Sequence, residues 1–262
     1  MILTDERWRE LLHTRATNPG AIRQAYATRK RRPQLLSDQD TLFLVSADQP
    51  ARGAPDRRAL LERLLVALDN PAVDGVLGTP DVVEELLLLD ALHEKVVLGA
   101  MNRDDGFTGY DAGTLVDCGL DGGEMLLRLP GTASARQACA DAVTELAAYG
   151  LVAMIEPLPY AGSEGKPVPQ EDPESLARAV TVASGLGTTS AHTWLKLPSP
   201  GSAAVLGATT LPVVLSGPPA ADPESWMLWH GVVRGLVMDL TRLGGSVGPA
   251  VEAAAKVLEA AK

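Results

Sequence analysis

Lys196 is one of only six lysines in the chain, and it stands inside a short apolar run, HTWLKL at 192–197. Alternate side chains of a strand share a face. His192, Trp194 and Lys196 therefore take one side of this segment, and Leu195 and Leu197 take the other. The same parity groups Val152, Met154 and Glu156 in LVAMIE (151–156), and Leu44, Ser46 and Asp48 at the end of TLFLVSA (41–47). One amine and two carboxylates thus approach the same ends of three strand-like runs. A lysine on a buried strand is costly unless it is paired or neutral. Desolvation or a neighbouring cation favours the neutral amine, which adds to carbonyls. The carboxylates then carry protons through the carbinolamine and imine steps. An ordinary buried ion pair between Lys196 and Glu156 on adjacent strands accounts for the same residues without chemistry, and the pattern alone leaves both readings open. Asn102, Arg103, Arg128, Ser216 and Gly217 end other runs, where they are suited to orient hydroxyl, carboxylate or phosphate groups.

Eight apolar runs of strand length position these groups: 41–47, 73–78, 95–101, 124–129, 151–156, 192–197, 211–216 and 235–239. Most are near-continuously hydrophobic, which suits parallel strands buried on both faces. Amphipathic segments separate them. Residues 55–70 carry leucines at helical spacing with arginines opposite. Thr79-Pro80-Asp81 supplies a cap and an N-terminal proline ahead of 82–93. Residues 134–149 stop at Gly150, Asp222-Pro223-Glu224 opens another helix, and 248–261 ends the chain. This alternation predicts an α/β fold, a (β/α)8 TIM barrel over 41–262 with an N-terminal helical extension over 1–40. The competitor, an open doubly wound sheet, would use fewer strands. Active sites of such barrels lie at the C-terminal strand ends, where the polar residues named above fall. The basic run 29–33 between extension and first strand reads as a solvated helix end, with a phosphate or partner contact as the other option.

Composition narrows the partners. The chain has 262 residues, 23 basic against 33 acidic side chains and a net charge of -10. That acidity argues against nucleic acid, which needs a basic face. With 46% apolar and 21% charged residues, the chain can bury a large core. Residues 1–10 lack the apolar core of a signal peptide, and the longest apolar runs fall far short of the roughly 20 residues of a membrane span. A cytoplasmic protein with no membrane partner is expected. His13, His93, His192 and His230 show no ligand spacing, so no metal and no cofactor is expected. His192 reads as a packed, hydrogen-bonded core residue, and Cys118 and Cys139 as buried, inert thiols. Gly185-Leu186-Gly187 precedes a strand and reads as a helix stop, not a dinucleotide loop. Trp226 and Trp229 suit helix packing, or a patch against a partner. The expected partner is a small carbonyl or sugar substrate, and self-association into a homo-oligomer stays open.

The stretch SGLGTTSAHTWLKLP (184–198) resembles the sixth-strand region of the DeoC/LacD-type class I aldolase superfamily. It is similar in particular to an actinobacterial (β/α)8 group described as deoxyribose-phosphate aldolase-like. Ser46-Ala47-Asp48 with Arg52-Gly53, GAMNR (99–103), FTGYD (107–111), DGGEMLLR (121–128) and Ile155-Glu156-Pro157 agree with it. The resemblance implies metal-free Schiff-base aldol chemistry, with Lys196 forming the imine and Asp48 as the first-strand acid. It puts Glu156 at the fifth-strand position, where some relatives carry other proton-transfer groups. Three departures stand out. The loop after Arg103 is short. Glu124 replaces a lysine common in relatives. At the usual phosphate site, Ser216-Gly217 runs into Pro218-Pro219, which lack N–H donors. There Met238-Asp239 also replaces a Gly-Arg pair, and Arg242, at a helix start, is either a substitute cation or a surface residue. The expectation is a class I aldolase-type lyase for a sugar-derived ketose, aldehyde or keto-acid. The substrate would be unphosphorylated, or held by Arg103 or Arg128 instead. The alternatives are another Schiff-base reaction (transaldol transfer or dehydration) and a diverged barrel that serves binding or assembly.

Overall fold

The structure, a computed structural model, describes residues 2–36, 40–47, 56–102, 106–162, 168–170, 172–217, 233–240, 243 and 246–260. Two helices, α1 (Asp5–Thr17) and α2 (Gly20–Thr28), precede β1 (Leu42–Ala47) and α3 (Arg57–Leu68). Then come β2 (Gly75–Gly78), α4 (Pro80–Leu88), β3 (Val96–Ala100), α5 (Ala112–Asp117), β4 (Gly122–Leu129) and α6 (Ala133–Ala148). The chain continues through β5 (Val152–Ala161), a short β6 (Val168–Pro169), α7 (Pro173–Ser184), β7 (Thr193–Pro198) and α8 (Ala203–Leu206). Among the described residues β8 (Val213–Ser216), β9 (Val233–Asp239) and α9 (Val247–Ala260) complete it.

Eight strands pair in parallel in the order β4-β3-β2-β1-β9-β8-β7-β5, and β4 pairs with β5 to close the cylinder. The fold is a (β/α)8 TIM barrel. Every residue of β1, β2 and β3 is buried, as continuous apolar runs require. Glycine is demanded where strands crowd. A Cβ on Gly75 would lie 1.8 Å from the Val96 carbonyl oxygen, and one on Gly235 would lie 1.9 Å from that of Leu42. The expected cap Thr79 stands at the N-cap of α4, but its hydroxyl donates to the Asp81 carboxylate and caps no backbone N–H. Other helices are capped by side chains. Thr4, Asp56, Asp111, Thr132 and Asp172 each accept a first-turn N–H, which satisfies a donor the helix cannot.

Two apolar layers result. Outward strand residues pack against the helices, and an inner cluster of Leu42, Leu44, Leu77, Val96, Leu98, Val152, Met154, Trp194, Val214 and Val237 fills the barrel. Leu35 and Leu36, just ahead of β1, pack onto this inner cluster.

β5 runs five residues beyond the predicted end at Glu156. Its odd-numbered peptides face β7, since the Ala153 N–H donates to the His192 carbonyl, while the Val152 N–H donates to Asp121 on the β4 side. Pro157 and Pro159 therefore remove donors only from the β7 side. Pairing with β7 ends at Ile155–Leu195, whereas pairing with β4 continues to Pro159–Leu129. The end of β5 pairs instead with β6 in an antiparallel bridge.

The arginines of the basic run 29–33 are paired with carboxylates and do not form a solvated helix end. Arg29, with its side chain 1% exposed, donates to the Lys95 and Gly119 carbonyls and pairs with Asp121 at 3.3 Å. Arg31 reaches the same carboxylate at 3.1 Å, and Arg32 pairs with Asp74. Asp121 and Asp74 also accept the backbone N–H groups of Val97 and Phe43. The run straps the extension to the N-terminal ends of the strands, with burial holding the Arg29 guanidinium below its usual range. Asp121→Ala leaves a buried cation and a buried N–H without this carboxylate, so it should cost about 3 kcal/mol in urea unfolding. Arg31→Ala removes a half-exposed partner and should cost under about 1 kcal/mol.

Candidate active site

Three consecutive barrel strands bring the site together. The inward face of β7 carries Trp194 and Lys196, that of β5 carries Met154 and Glu156, and that of β4 carries Glu124, Leu126 and Arg128. Register sets their heights. Glu124, Met154 and Trp194 share one level. Leu126 pairs with Glu156 one inward step higher, and Lys196 stands beside Glu156, just past the last β5–β7 pair.

The Lys196 ammonium reaches across β5 to both carboxylates. Its Nζ lies 2.9 Å from Glu124 Oε1 and 3.1 Å from Glu156 Oε2. Side-chain exposure grades outward, from 3% for Glu124 and 5% for Lys196 to 18% for Glu156. Glu124 is thus the inner carboxylate, level with the apolar filling, and Glu156 is the outer one, on the solvent side. Two carboxylates around one ammonium offset the desolvation of a buried charge far better than one would. Among the described residues, the charged groups within 4 Å of this amine are the carboxylates of Glu124 and Glu156. The Lys–Glu ion pair between adjacent strands is present, and a second carboxylate is added from β4.

Glu124 is the Lys196 partner that sequence reasoning left out of the site. It was legible as a carboxylate inside an apolar run with the same parity as Arg128. It was noticed as a charge reversal, and not as a partner of Lys196, because its distance from a residue two strands away depends on barrel geometry.

The other named residues are distributed as follows. Asn102, buried, uses its carboxamide on the backbone of β4: Oδ1 accepts the Leu126 N–H and Nδ2 donates to the Leu126 carbonyl, both at 2.7 Å. Arg128 lies with its guanidinium carbon 5.7 Å from the centre of the Tyr160 ring, a cation–π contact. Ser216 ends β8, half-buried and level with Val237. The Gly217 N–H donates to the Val237 carbonyl at 3.1 Å. Asp239 ends β9 level with the inward Ser46. Asp48, Arg103, Pro218, Pro219, Trp226, Trp229, His230 and Arg242 lie outside the described residues.

His192 precedes β7 and is half-buried, not a core residue. Cys139 is buried, while Cys118 is half-buried, with burial raising its thiol pKa. Among the described residues no cluster of three or more His, Cys, Asp or Glu is placed to hold a metal ion. No helix among them is long and apolar enough to cross a membrane.

Fold and site together define a (β/α)8 barrel with a doubly paired lysine at the C-terminal half of its interior. The chain belongs to the Cgl0159-like family, whose model matches residues 40–255. Its structure is similar to the crystal structure of Cgl0159 from Corynebacterium glutamicum, with a TM-score of 0.92 and 36% identity over 99% of each chain. It is also similar, with a TM-score of 0.64 and 16% identity, to an archaeal fructose-1,6-bisphosphate aldolase, over 90% of this chain and 99% of that one. The catalytic lysine of that aldolase is covalently bound to the carbinolamine intermediate of its substrate. The fructose-bisphosphate aldolase of Slackia heliotrinireducens gives a TM-score of 0.61 and 15% identity over 90% of this chain and 96% of that one. These two aldolases share the fold with this chain. Comparison with curated proteins gave no match.

Proposed function

We propose that this barrel is a class I aldolase-type lyase that makes or breaks a C–C bond through a Schiff base on Lys196. The observation that carries the reading is the Lys196 amine between Glu124 and Glu156 on the inward face. The fold shared with an aldolase whose catalytic lysine holds a carbinolamine supports it.

In the cleavage direction the ammonium first passes a proton to a flanking carboxylate. The amine lone pair then adds to the substrate carbonyl carbon, and the oxygen takes up that proton to give a carbinolamine. The nitrogen gives a proton back to the carboxylate, which passes it to the hydroxyl oxygen, and that oxygen leaves as water as an iminium forms. A carboxylate removes the proton of the β-hydroxyl as the bond between the α and β carbons breaks. The bonding pair moves into the iminium to give an enamine, and the β carbon leaves as a carbonyl product. The carboxylic acid protonates the enamine carbon, and water hydrolyses the iminium to free the second product and the amine. Glu156, the more open carboxylate, suits the protons that meet substrate, and Glu124 suits the proton held on Lys196. By the family resemblance Asp48 shares the acid–base work, and Arg103, Arg128 and Ser216 orient substrate oxygens.

The preferred substrate is not phosphorylated. The Gly217 N–H, which a phosphate would need, already serves the Val237 carbonyl. One observation favours a second reading, a diverged barrel that binds without turnover: both carboxylates already pair the amine. Proton exchange separates the two. The protein is incubated in D2O with pyruvate, acetaldehyde, dihydroxyacetone or dihydroxyacetone phosphate, and deuterium at the α carbon is followed by NMR. The lyase reading expects exchange in an unphosphorylated donor about a hundredfold or more above a Lys196→Met control. No exchange with any donor would favour the silent barrel. Preference for the phosphorylated donor would overturn the substrate assignment.

A further inference from the structure

We infer that Asn102 is a positioning residue, whose carboxamide replaces a missing strand neighbour of β4 and so fixes Glu124 against Lys196. The inference rests on the Schiff-base reading for its consequence, but on backbone geometry for its existence. The β3–β4 register ends at Ala100–Glu124, and the Met101 N–H still donates to the Glu124 carbonyl at 2.9 Å. Beyond that point the Ala100 and Met101 carbonyls accept from Tyr110 and Gly109 instead. Leu126 is the next residue of β4 whose peptide groups face β3, and it lies level with Glu156. Its N–H and C=O meet the Asn102 carboxamide, one acceptor and one donor on a single side chain, both at 2.7 Å.

Asn102 is buried at 7% exposure and Leu126 is half-buried on the inward face, so the clamp is largely sheltered from water. Its two bonds hold β4 immediately above Glu124 and below Arg128. A β4 free to move there would carry the inner carboxylate away from the amine. Asn102 is therefore tied to the scaffold, and its part in catalysis passes through Glu124.

Residue-by-residue amide hydrogen exchange tests the clamp without any substrate. In Asn102→Ala, exchange at Leu126 should accelerate about tenfold or more, with Leu195 on β7 unchanged. Asn102→Asp, nearly isosteric and more certain to fold, keeps an acceptor and loses the donor. Its exchange at Leu126 should be intermediate, and it should approach the parent rate at low pH, where a neutral carboxyl again offers one donor and one acceptor. Parent-like exchange at Leu126 in both variants would overturn the clamp. Deuterium exchange into pyruvate tests the consequence. Its maximal rate should fall about tenfold at an unchanged half-saturating concentration. A raised half-saturation at an unchanged rate would mean that Asn102 contacts substrate, and would overturn the positioning role. If the parent protein exchanges no donor, the Schiff-base reading fails alone, since exchange at Leu126 still decides the clamp.

Discussion

Lys196→Met should abolish imine formation and lower the rate of α-deuterium exchange or C–C turnover by about a thousandfold or more. No other described side chain offers an amine on the inward face, because Lys95 lies ahead of β3 with its Nζ on the Val73 carbonyl. The same change should destabilise the fold, which sets it apart from an ordinary nucleophile deletion. Methionine approximates the lysine stem, so the apolar packing beside Trp194 survives. What is lost is the cation between Glu124 and Glu156, and two neighbouring carboxylates are left facing each other in a largely buried site. Removing one partner of a buried ion pair costs about 3–5 kcal/mol, and urea unfolding at neutral pH reads that loss directly. The deficit should narrow as pH falls, because a neutral carboxyl is cheaper to bury than a carboxylate. A Lys196→Met protein as stable as the parent would contradict the arrangement itself.

Glu124→Gln should keep the fold and lower turnover by about a hundredfold or more. The amide preserves the volume and one acceptor for the ammonium, while Glu156 remains as counter-charge. Stability should therefore fall by only about 1–3 kcal/mol. The variant loses the inner site that receives the lysine proton and holds Nζ in place. Glu156→Gln should act differently, because this carboxylate stands on the solvent side and meets the substrate's own protons. The slow step should then move towards C–C cleavage and enamine protonation, with the adduct on Lys196 still forming. Comparing adduct formation with full turnover in the two variants separates the roles. Equal loss of both steps in each would mean that the two carboxylates act as one unit.

The barrel was legible because its strands are buried on both faces. Runs such as 41–47 and 95–101 have almost no polar side to confuse them. The inward direction of Lys196 and Glu156 followed from parity alone, and so did the neighbouring strands that bring them together. The site was harder wherever it depends on several strands at once. Whether Glu124 reaches Lys196 across β5 is set by how the strands are staggered around the cylinder, which no local pattern encodes. Asn102 was read as a substrate contact because it ends a strand. Its bond to Leu126 depends on β3 leaving the sheet one residue earlier, and the sequence does not mark that exit. Pro157 and Pro159 hid the far half of β5, since a proline ends a strand only when its missing N–H faces a partner. The arginines at 29, 31 and 32 looked like a solvated helix end. Their carboxylate partners, Asp74 and Asp121, sit far along the chain at the feet of β2 and β4.

The central claim is that Lys196 forms an imine with a carbonyl substrate, and reductive trapping tests it most directly. The protein is incubated with pyruvate, acetaldehyde or dihydroxyacetone, reduced with borohydride, digested, and its peptides weighed by mass spectrometry. The account predicts a stable adduct on the peptide that contains Lys196 with at least one of these donors, and none in Lys196→Met. An unmodified Lys196 with every donor, or trapping that persists on another lysine in Lys196→Met, would contradict it.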